Sequence, residues 1–351
     1  KFVLTVNLVL GKIMQAAKGT SIEHIVGISL AESMPFVIGT LYKWKSKEKQ
    51  ENCISYREFL KAGESQKVES PEIKADDSAI IAYTGGTTGK AKGVLLSNRA
   101  ANVIGFQYKH ADKVLDFQKG ERFLDIIPPF LAYGLFLGVH MALCTCLEDV
   151  LCPDPAPEHL PELFKKYKPN HLSGGPLHIE ALMKDKKVQK MNLSFAKTVA
   201  YGGDAMNQEW EDAMSRFLKE HHAPYELTSG YGMTEMAGPV CVSNHKFSVM
   251  LPFFCNNIKI MDIDTGEELG YDQEGEICVS GPTMMLEYYQ NPEATNEIIF
   301  EENGTKWLRT GDLGHVTKEG YFRLTGRLKR ILWSVGADKT PSRVYPDRKS
   351  T

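Results

Sequence analysis

The sequence predicts an α/β fold: layered parallel or mixed sheets with glycine-rich turns, followed by a small antiparallel β-barrel. Three observations predict it. Residues 147–173 read as strand, proline-rich turn, helix and strand, a βαβ unit that implies a parallel sheet. Glycine-rich turns at 174–176, 202–204 and 230–232 each follow a predicted strand, and open α/β sheets gather ligands at the carboxyl ends of their strands. Past residue 240 the strands become short (240–243, 257–263, 275–281, 306–309, 313–318, 321–324), with turns such as Asp264-Thr265-Gly266-Glu267 between them. That spacing suits a small β-barrel or sandwich.

In chain order, residues 8–18 read as a helix and Ile22 to Leu30 as a strand. The charged run 43–52 reads as a solvated loop, and Ser55 three before Glu58 is a capping-box pattern for a short helix. Residues 61–78 form a polar linker, in which Asp76 and Asp77 face opposite ways and read as solvated rather than as a catalytic pair. Ser97 or Asn98 caps a helix to about Leu115, Arg122 to Ile127 is a strand, and Phe130 to Leu147 is an apolar helix. Helices follow at Leu177–Lys184 and Asn207–His221, with strands at Lys197–Tyr201 and Pro224–Thr228.

Composition narrows the class. The 351 residues are 42% hydrophobic and 24% charged, enough chain for one large or two to three small globular domains. The net charge of −3 argues against a general nucleic-acid surface and says little about small anionic ligands, which local groups meet. Seven cysteines, an odd number without zinc spacing, read as reduced thiols in a cytoplasmic protein. The 18-residue apolar run 130–147 contains Gly134, Gly138 and His140 and lacks basic flanks, so it reads as a core helix. Peripheral membrane contact stays an open reading, and so does the oligomeric state. Lys1 and the apolar residues after it lack the features of a signal peptide, and a chain starting at Lys reads as missing its true N-terminus.

The strongest local signal is AIIAYTGGTTGKAKGVLLS, residues 79–97. Two apolar runs flank Thr84-Gly85-Gly86-Thr87-Thr88-Gly89-Lys90-Ala91-Lys92-Gly93, so the loop reads as the tip of a hairpin. Glycines allow close backbone approach, while hydroxyls, free N–H groups and two lysines suit a polyphosphate. It is not a GxxxxGK[ST] loop: Thr84 stands where the first glycine belongs, Ala91 follows Lys90, and that motif runs from strand to helix. A plain surface turn needs one or two glycines, not this density of Thr and Lys.

The string YTGGTTGKAKGV resembles the phosphate-loop signature of the adenylate-forming superfamily, which includes acyl- and aryl-CoA synthetases, peptide-synthetase adenylation domains and beetle luciferases. Gly85 stands where that signature has Ser, and Ala91 where it has Pro. The resemblance implies an acyl-CoA-synthetase-like fold and runs from about residue 78 to the end. It implies that Thr84, Gly85, Gly86, Thr87, Thr88, Gly89 and Lys92 hold phosphates. GYGMTE, Gly230 to Glu235, is similar to the family's Y-G-x-T-E motif. There the implied roles are Tyr231 and Gly232 at the adenine, Thr234 on a phosphate and Glu235 on Mg²⁺. Gly203 and Asp204 resemble the segment that lines the adenine and acyl pocket, though Asp204 reads equally well as a helix cap. Asp312 of Thr310-Gly311-Asp312 is implied to hold the ribose hydroxyls. Arg327 of Gly326-Arg327-Leu328-Lys329 is implied to reach ribose or phosphate, and Lys329 to be a pivot between domains. Glu287 stands where a glycine is usual in the segment through Tyr288 to Thr295, which reads as structural. The family's acyl gate after Pro128-Pro129-Phe130 is often His or an aromatic; here it is Leu131, with Tyr133 two residues on. Leu131, Tyr133 and Gly175 are the expected substrate pocket.

These expectations give sheet subdomains over 1–240, the barrel over 241–326, and a hinge leading into an absent domain over 327–351. No residue matches the adenylation lysine of the family's small C-terminal domain, so the chain reads as truncated at both ends. The implied function is an acid–thiol ligase that activates a fatty or other hydrophobic carboxylate with ATP and Mg²⁺ and transfers it to CoA. The alternatives are an enzyme that loads a carrier protein and a non-catalytic nucleotide-binding homologue. A serine hydrolase lacks its G-x-S-x-G here and a zinc hydrolase its H-E-x-x-H.

Overall fold

The computed structural model describes residues 1–46, 53–64, 66–84, 91–111, 115–152, 156–203, 208–243, 250–328, 332–335 and 341–344. The chain divides into two units, Lys1–Glu72 and Ile73–Thr351.

The first unit holds β1 (Phe2–Val6), α1 (Leu10–Ala17), β2 (His24–Ile28), α2 (Phe36–Ser46), β3 (Ile54–Ser55) and α3 (Tyr56–Glu64). Its three strands form a parallel sheet in the order β1-β2-β3. The expected capping box is present: Ser55 Oγ accepts from Glu58 N at 3.2 Å, and Glu58 Oε2 accepts from Ser55 N at 3.1 Å. The solvated loop expected over 43–52 is corrected in its first part, because α2 runs on to Ser46, and residues 47–52 lie outside the described ones. Lys43 and Lys45 lie in its last turn, where positive charge suits the helix dipole.

The second unit opens with β4 (Ser78–Tyr83), β5 (Gly93–Ser97) and α4 (Asn98–Lys109). Next come β6 (Arg122–Asp125), a π-helical segment (Tyr133–His140) running into α5 (Met141–Cys144), β7 (Glu148–Leu151) and α6 (Leu160–Tyr167). Then follow β8 (His171–Gly174), α7 (Pro176–Lys184), β9 (Thr198–Gly202), α8 (Gln208–Glu220), β10 (Thr228–Met233) and β11 (Gly238–Ser243). The rest comprises β12 (Met250–Pro252), β13 (Asn257–Met261), β14 (Gly275–Ser280), β15 (Glu287–Tyr288), α9 (Pro292–Ile298), β16 (Ile299–Glu302), β17 (Thr305–Val316) and β18 (Phe322–Arg327). A last pair is β19 (Leu332–Val335) with β20 (Pro341–Val344).

One large mixed sheet dominates. Its parallel part runs β7-β6-β8-β9-β10. Its antiparallel part continues β11-β12-β18-β17-β14-β13, with β16 paired to β17. The small barrel expected over 241–326 is therefore corrected: those strands extend the same sheet, joined through Met250 opposite Phe322. Among the described residues no pairing closes them into a barrel. The boundary expected at residue 240 falls inside β11, where every residue is buried.

Local differences have local reasons. The strand expected at Pro224–Thr228 starts only at Thr228, because Leu227 N donates to Ser215 Oγ at 3.1 Å instead of to a neighbouring strand. The two strands expected at 306–309 and 313–318 are one, β17, whose pairings shift register instead of ending. Helix α4 stops at Lys109, short of Leu115.

Two apolar cores lie on the two faces of the parallel strands. One joins Leu124, Leu172, Val199 and Tyr201 to Phe164 of α6, Ile179 of α7 and Met214 of α8. The other joins Ile104 of α4, Phe136, Met141 and Val240 to Ile260 and Ile277 of the antiparallel strands. Together they bury both sides of a parallel sheet, as such sheets require.

Ser97 caps α4: its Oγ accepts from Ala100 N at 3.1 Å, and the residue is buried. Ser97→Ala should lower unfolding free energy by about 1 kcal/mol, read as a lower urea midpoint at unchanged slope.

Candidate active site

The site begins with strand alternation. Successive side chains of a strand face opposite ways. In β9, Val199 and Tyr201 enter the helix-covered core, so Thr198, Ala200 and Gly202 face the other side. In β8, Leu172 enters that core and His171 and Ser173 turn away from it. The faces left over carry small or polar residues and cannot fill their space. A cavity of about 220 Å³ lies against them. Thr198 to Gly202 spans four residue steps, so the β9 wall is roughly 13 Å long.

At the carboxyl end of the strands the cavity is lined by Gly202, Gly203, Gly230, Gly232, Met233 and Thr234. At the other end Tyr108, Leu115, Phe117, Phe123 and Met141 line it. Gly203 has φ +83°, the left-handed turn that takes the chain out of β9. Gly232 is needed for close approach: a Cβ there would stand 2.2 Å from the Gly238 carbonyl oxygen in the β10–β11 hairpin.

Of the expected substrate residues, Tyr133 lines the cavity and shares a 2.6 Å hydrogen bond with Ser173. Burial pushes its hydroxyl up to about 12, so it stays neutral. Leu131 and Gly175 do not line the cavity. Leu131 is 36% exposed in the turn before the π-helical segment, and Gly175 is the N-cap of α7, its N–H donating to His178 Nδ1 at 3.2 Å. The sequence pattern gave an ordinary helix from Phe130; the π geometry that starts at Tyr133 was not legible in it.

The expected hairpin is present. β4 and β5 pair antiparallel, Tyr83 opposite Gly93. Thr84 N donates to Lys92 O at 3.0 Å, and Lys92 N donates to Thr84 Oγ1 at 3.2 Å, closing the base of the loop. Gly85, Gly86, Thr87, Thr88 and Gly89 lie outside the described residues, as do Asp204 and Lys329. Lys92 Nζ stands 4.5 Å from the centroid of the Tyr288 ring. The Tyr288 hydroxyl donates to Glu235 Oε1 at 2.6 Å. Burial first, then the Glu235 carboxylate, hold that hydroxyl far above its usual range, so it remains a donor. Tyr288 thus links the loop base to the 234–235 motif. It was read from sequence as structural; β15 pairing with β5, Tyr288 opposite Val94, places it here.

Thr234 lines the cavity, while Glu235 beside it is buried and turned to Tyr288. A magnesium ion carrying a nucleotide takes one or two carboxylates with phosphate oxygens. Glu235 fits that donor set, since Tyr288 engages only one of its two oxygens.

Tyr231 departs from its expected adenine role. Its ring is buried 5.2 Å from that of Phe322, outside the cavity lining, and its hydroxyl donates to Asp312 Oδ2 at 2.9 Å. Arg327 Nε donates to Asp312 Oδ1 at 2.8 Å. Tyr231, Asp312 and Arg327 are therefore brought together as one cluster in which both Asp312 oxygens already accept a hydrogen bond.

A second carboxylate pair lies at the β6–β7 edge. Asp125 is 2% exposed; Oδ1 accepts from Ile127 N at 3.2 Å, and Oδ2 meets no donor among the described residues. Burial, then the Asp149 charge, push it up to about 7, and burial pushes Asp149 up to about 6. The unfolded chain releases its Asp125 proton near the ordinary 3.8, while the folded chain keeps it to about 7. Folding stability from this group is therefore full below that range and is lost as pH rises through it. Asp125→Asn should stabilise the protein at about pH 8 relative to about pH 4, by on the order of 2–4 kcal/mol in denaturant unfolding at the two values.

Comparison with known proteins gives the class. The model of the AMP-binding enzyme family matches residues 7–289, and the chain belongs to that family. Among curated relatives, the probable 4-coumarate–CoA ligase 1 of Dictyostelium discoideum is 32% identical over 284 residues, covering 78% of this chain and 49% of the relative. The long-chain-fatty-acid–CoA ligase of Bacillus subtilis is 28% identical over 357 positions, covering 97% of this chain and 62% of the relative. The chain thus spans about half to three-fifths of the length of the relatives it matches. Among solved structures, an anthranilate–CoA ligase in complex with anthranoyl-AMP superposes with a TM-score of 0.78 at 20% identity, covering 98% of this chain and 61% of that one. A long-chain-fatty-acid–CoA ligase from Archaeoglobus fulgidus gives 0.75 at 19% identity, covering 97% and 68%. These likenesses establish the adenylate-forming fold.

Proposed function

We propose that this chain carries the nucleotide- and acid-binding part of an acid–thiol ligase. A carboxylate oxygen attacks the α-phosphorus of ATP, the bond to pyrophosphate breaks, and an acyl-adenylate forms. The sulfur of CoA then attacks the acyl carbon, AMP leaves, and the thiol proton passes to solvent. The observation that carries this reading is one cavity that joins the glycine-rich strand ends to a largely apolar far end. A carboxylate entering with its apolar part toward Phe117 and Phe123 would present its charged end at Gly203, Gly232 and Thr234.

Thr87, Thr88 and Lys92 would neutralise the phosphates, with Mg²⁺, held by Glu235, supplying further charge stabilisation when bound. Lys92 and Glu235 already meet through Tyr288, which supports one shared phosphate site. Asp312 and Arg327 would meet the ribose from the neighbouring cluster. Seven free cysteines are in keeping with a cytoplasmic setting, and no described helix is long and apolar enough to cross a membrane.

Calorimetric binding of non-hydrolysable acyl-adenylate mimics, from acetyl to palmitoyl, tests the reading. Each buried methylene should add about 0.8 kcal/mol until the cavity is full. A wall of roughly 13 Å predicts a plateau at medium chain length. If no mimic binds the folded protein, the reading fails. Glu235→Gln keeps an acceptor for Tyr288 but removes the charge. It should weaken ATP binding about tenfold or more in the presence of Mg²⁺ and change it little without the ion.

A further inference from the structure

The closed end of the cavity is not uniformly apolar. Thr198 lines it, 8% exposed, and its Oγ1 lies 3.1 Å from His171 Nδ1. His171 is wholly buried beneath the cavity, with the Phe117 ring edge-on at 4.5 Å. Its other nitrogen, Nε2, lies 2.9 Å from Glu121 Oε2.

The proton positions follow from the neighbours. Glu121 also accepts from Lys197 Nζ at 2.7 Å and from Gln118 N at 2.9 Å. Lys197 in turn meets Asp116 at 3.0 Å. Burial raises the Glu121 carboxyl, but Lys197, His171 and the Gln118 N–H outweigh it and hold it below its usual range. Burial holds the His171 imidazole below its ordinary value despite Glu121. A carboxylate can only accept, so the neutral imidazole must carry its proton on Nε2 and give it to Glu121. Nδ1 is then a bare acceptor, and the Thr198 hydroxyl must donate to it. The hydroxyl proton is used up inside the wall, and Thr198 Oγ1 is left offering lone pairs.

We infer that His171 sets Thr198 as a hydrogen-bond acceptor at the closed end of the cavity, so that the acid taken there carries a hydroxyl or amine donor at the end away from its carboxylate. The inference rests on the acid-binding reading of the cavity. An alkyl or plain aryl terminus would leave the lone pairs of Thr198 Oγ1 unused, whereas a terminal donor would gain a hydrogen bond to them. His171 acts here as a positioning residue, because it does not line the cavity.

The test is calorimetric binding of paired acyl sulfamoyl adenosines to the full chain: 8-hydroxyoctanoyl against octanoyl, and 3-(4-hydroxyphenyl)propanoyl against 3-phenylpropanoyl. The hydroxylated member of at least one pair should bind about tenfold or more tightly than its partner. Thr198→Val should abolish that preference, while Thr198→Ser should retain it. The wild-type comparison needs no variant, so misfolding of Thr198→Val cannot mask the result. Equal binding within both pairs overturns the inference and leaves the acid-binding reading standing. Absence of binding by all four overturns both.

Discussion

The site depends on one constraint, the two-residue alternation of β8 and β9. A parallel strand covered by helices is normally apolar on both faces. Here one face is apolar, with Leu172, Val199 and Tyr201 packed under α6, α7 and α8. The other carries Ser173, Thr198, Ala200 and Gly202, whose small volumes leave room that neighbouring helices do not fill. The cavity is therefore a property of side-chain size on one strand face. The glycine turns at the carboxyl ends give it a mouth, and the aromatic residues before and within β6 close it.

A second dependence is long-range. Glu235, Tyr288 and Lys92 come from three distant parts of the chain and meet only because β15 adds to the edge of the β4–β5 hairpin. The Tyr288 ring receives the lysine and its hydroxyl receives the carboxylate. The two charges are thereby brought to one aromatic ring without forming a direct ion pair. Asp312 is held in the same manner by Tyr231 of β10 and Arg327 of β18, of which only β18 pairs with its own strand β17.

Much of this was legible in the sequence. The βαβ pattern, the hairpin under the phosphate loop and the glycines that end β8 and β9 depend on local chemistry and stand where the residues placed them, whereas the turn expected at 230–232 is corrected, because those residues lie within β10. That the antiparallel strands continue the parallel sheet was not legible, because pairing between short antiparallel strands depends on partners that no local pattern names. The inward turn of Tyr231 was not legible because the Gly-Tyr-Gly stretch, expected as a turn, is a strand, and alternation turns its ring into the core. Tyr288 was missed because its role arises from a strand pairing almost two hundred residues away in sequence. His171 and Ser173, polar residues two apart in β8, and the small or polar Thr198, Ala200 and Gly202 at the same spacing in β9 did carry a signal, which a period-two reading of these strands could have found.

The bond between Tyr133 and Ser173 spans from the π-helical segment to β8 and ties two walls of the cavity together. Such a tie fixes girth more firmly than length. Under the proposed reading, a longer acyl chain would need only side chains such as Met141 at the far end to shift, whereas a thicker one would have to break the Tyr133–Ser173 hydrogen bond. On that reading, moving either hydroxyl would change the girth of acid accepted before it changed the nucleotide end.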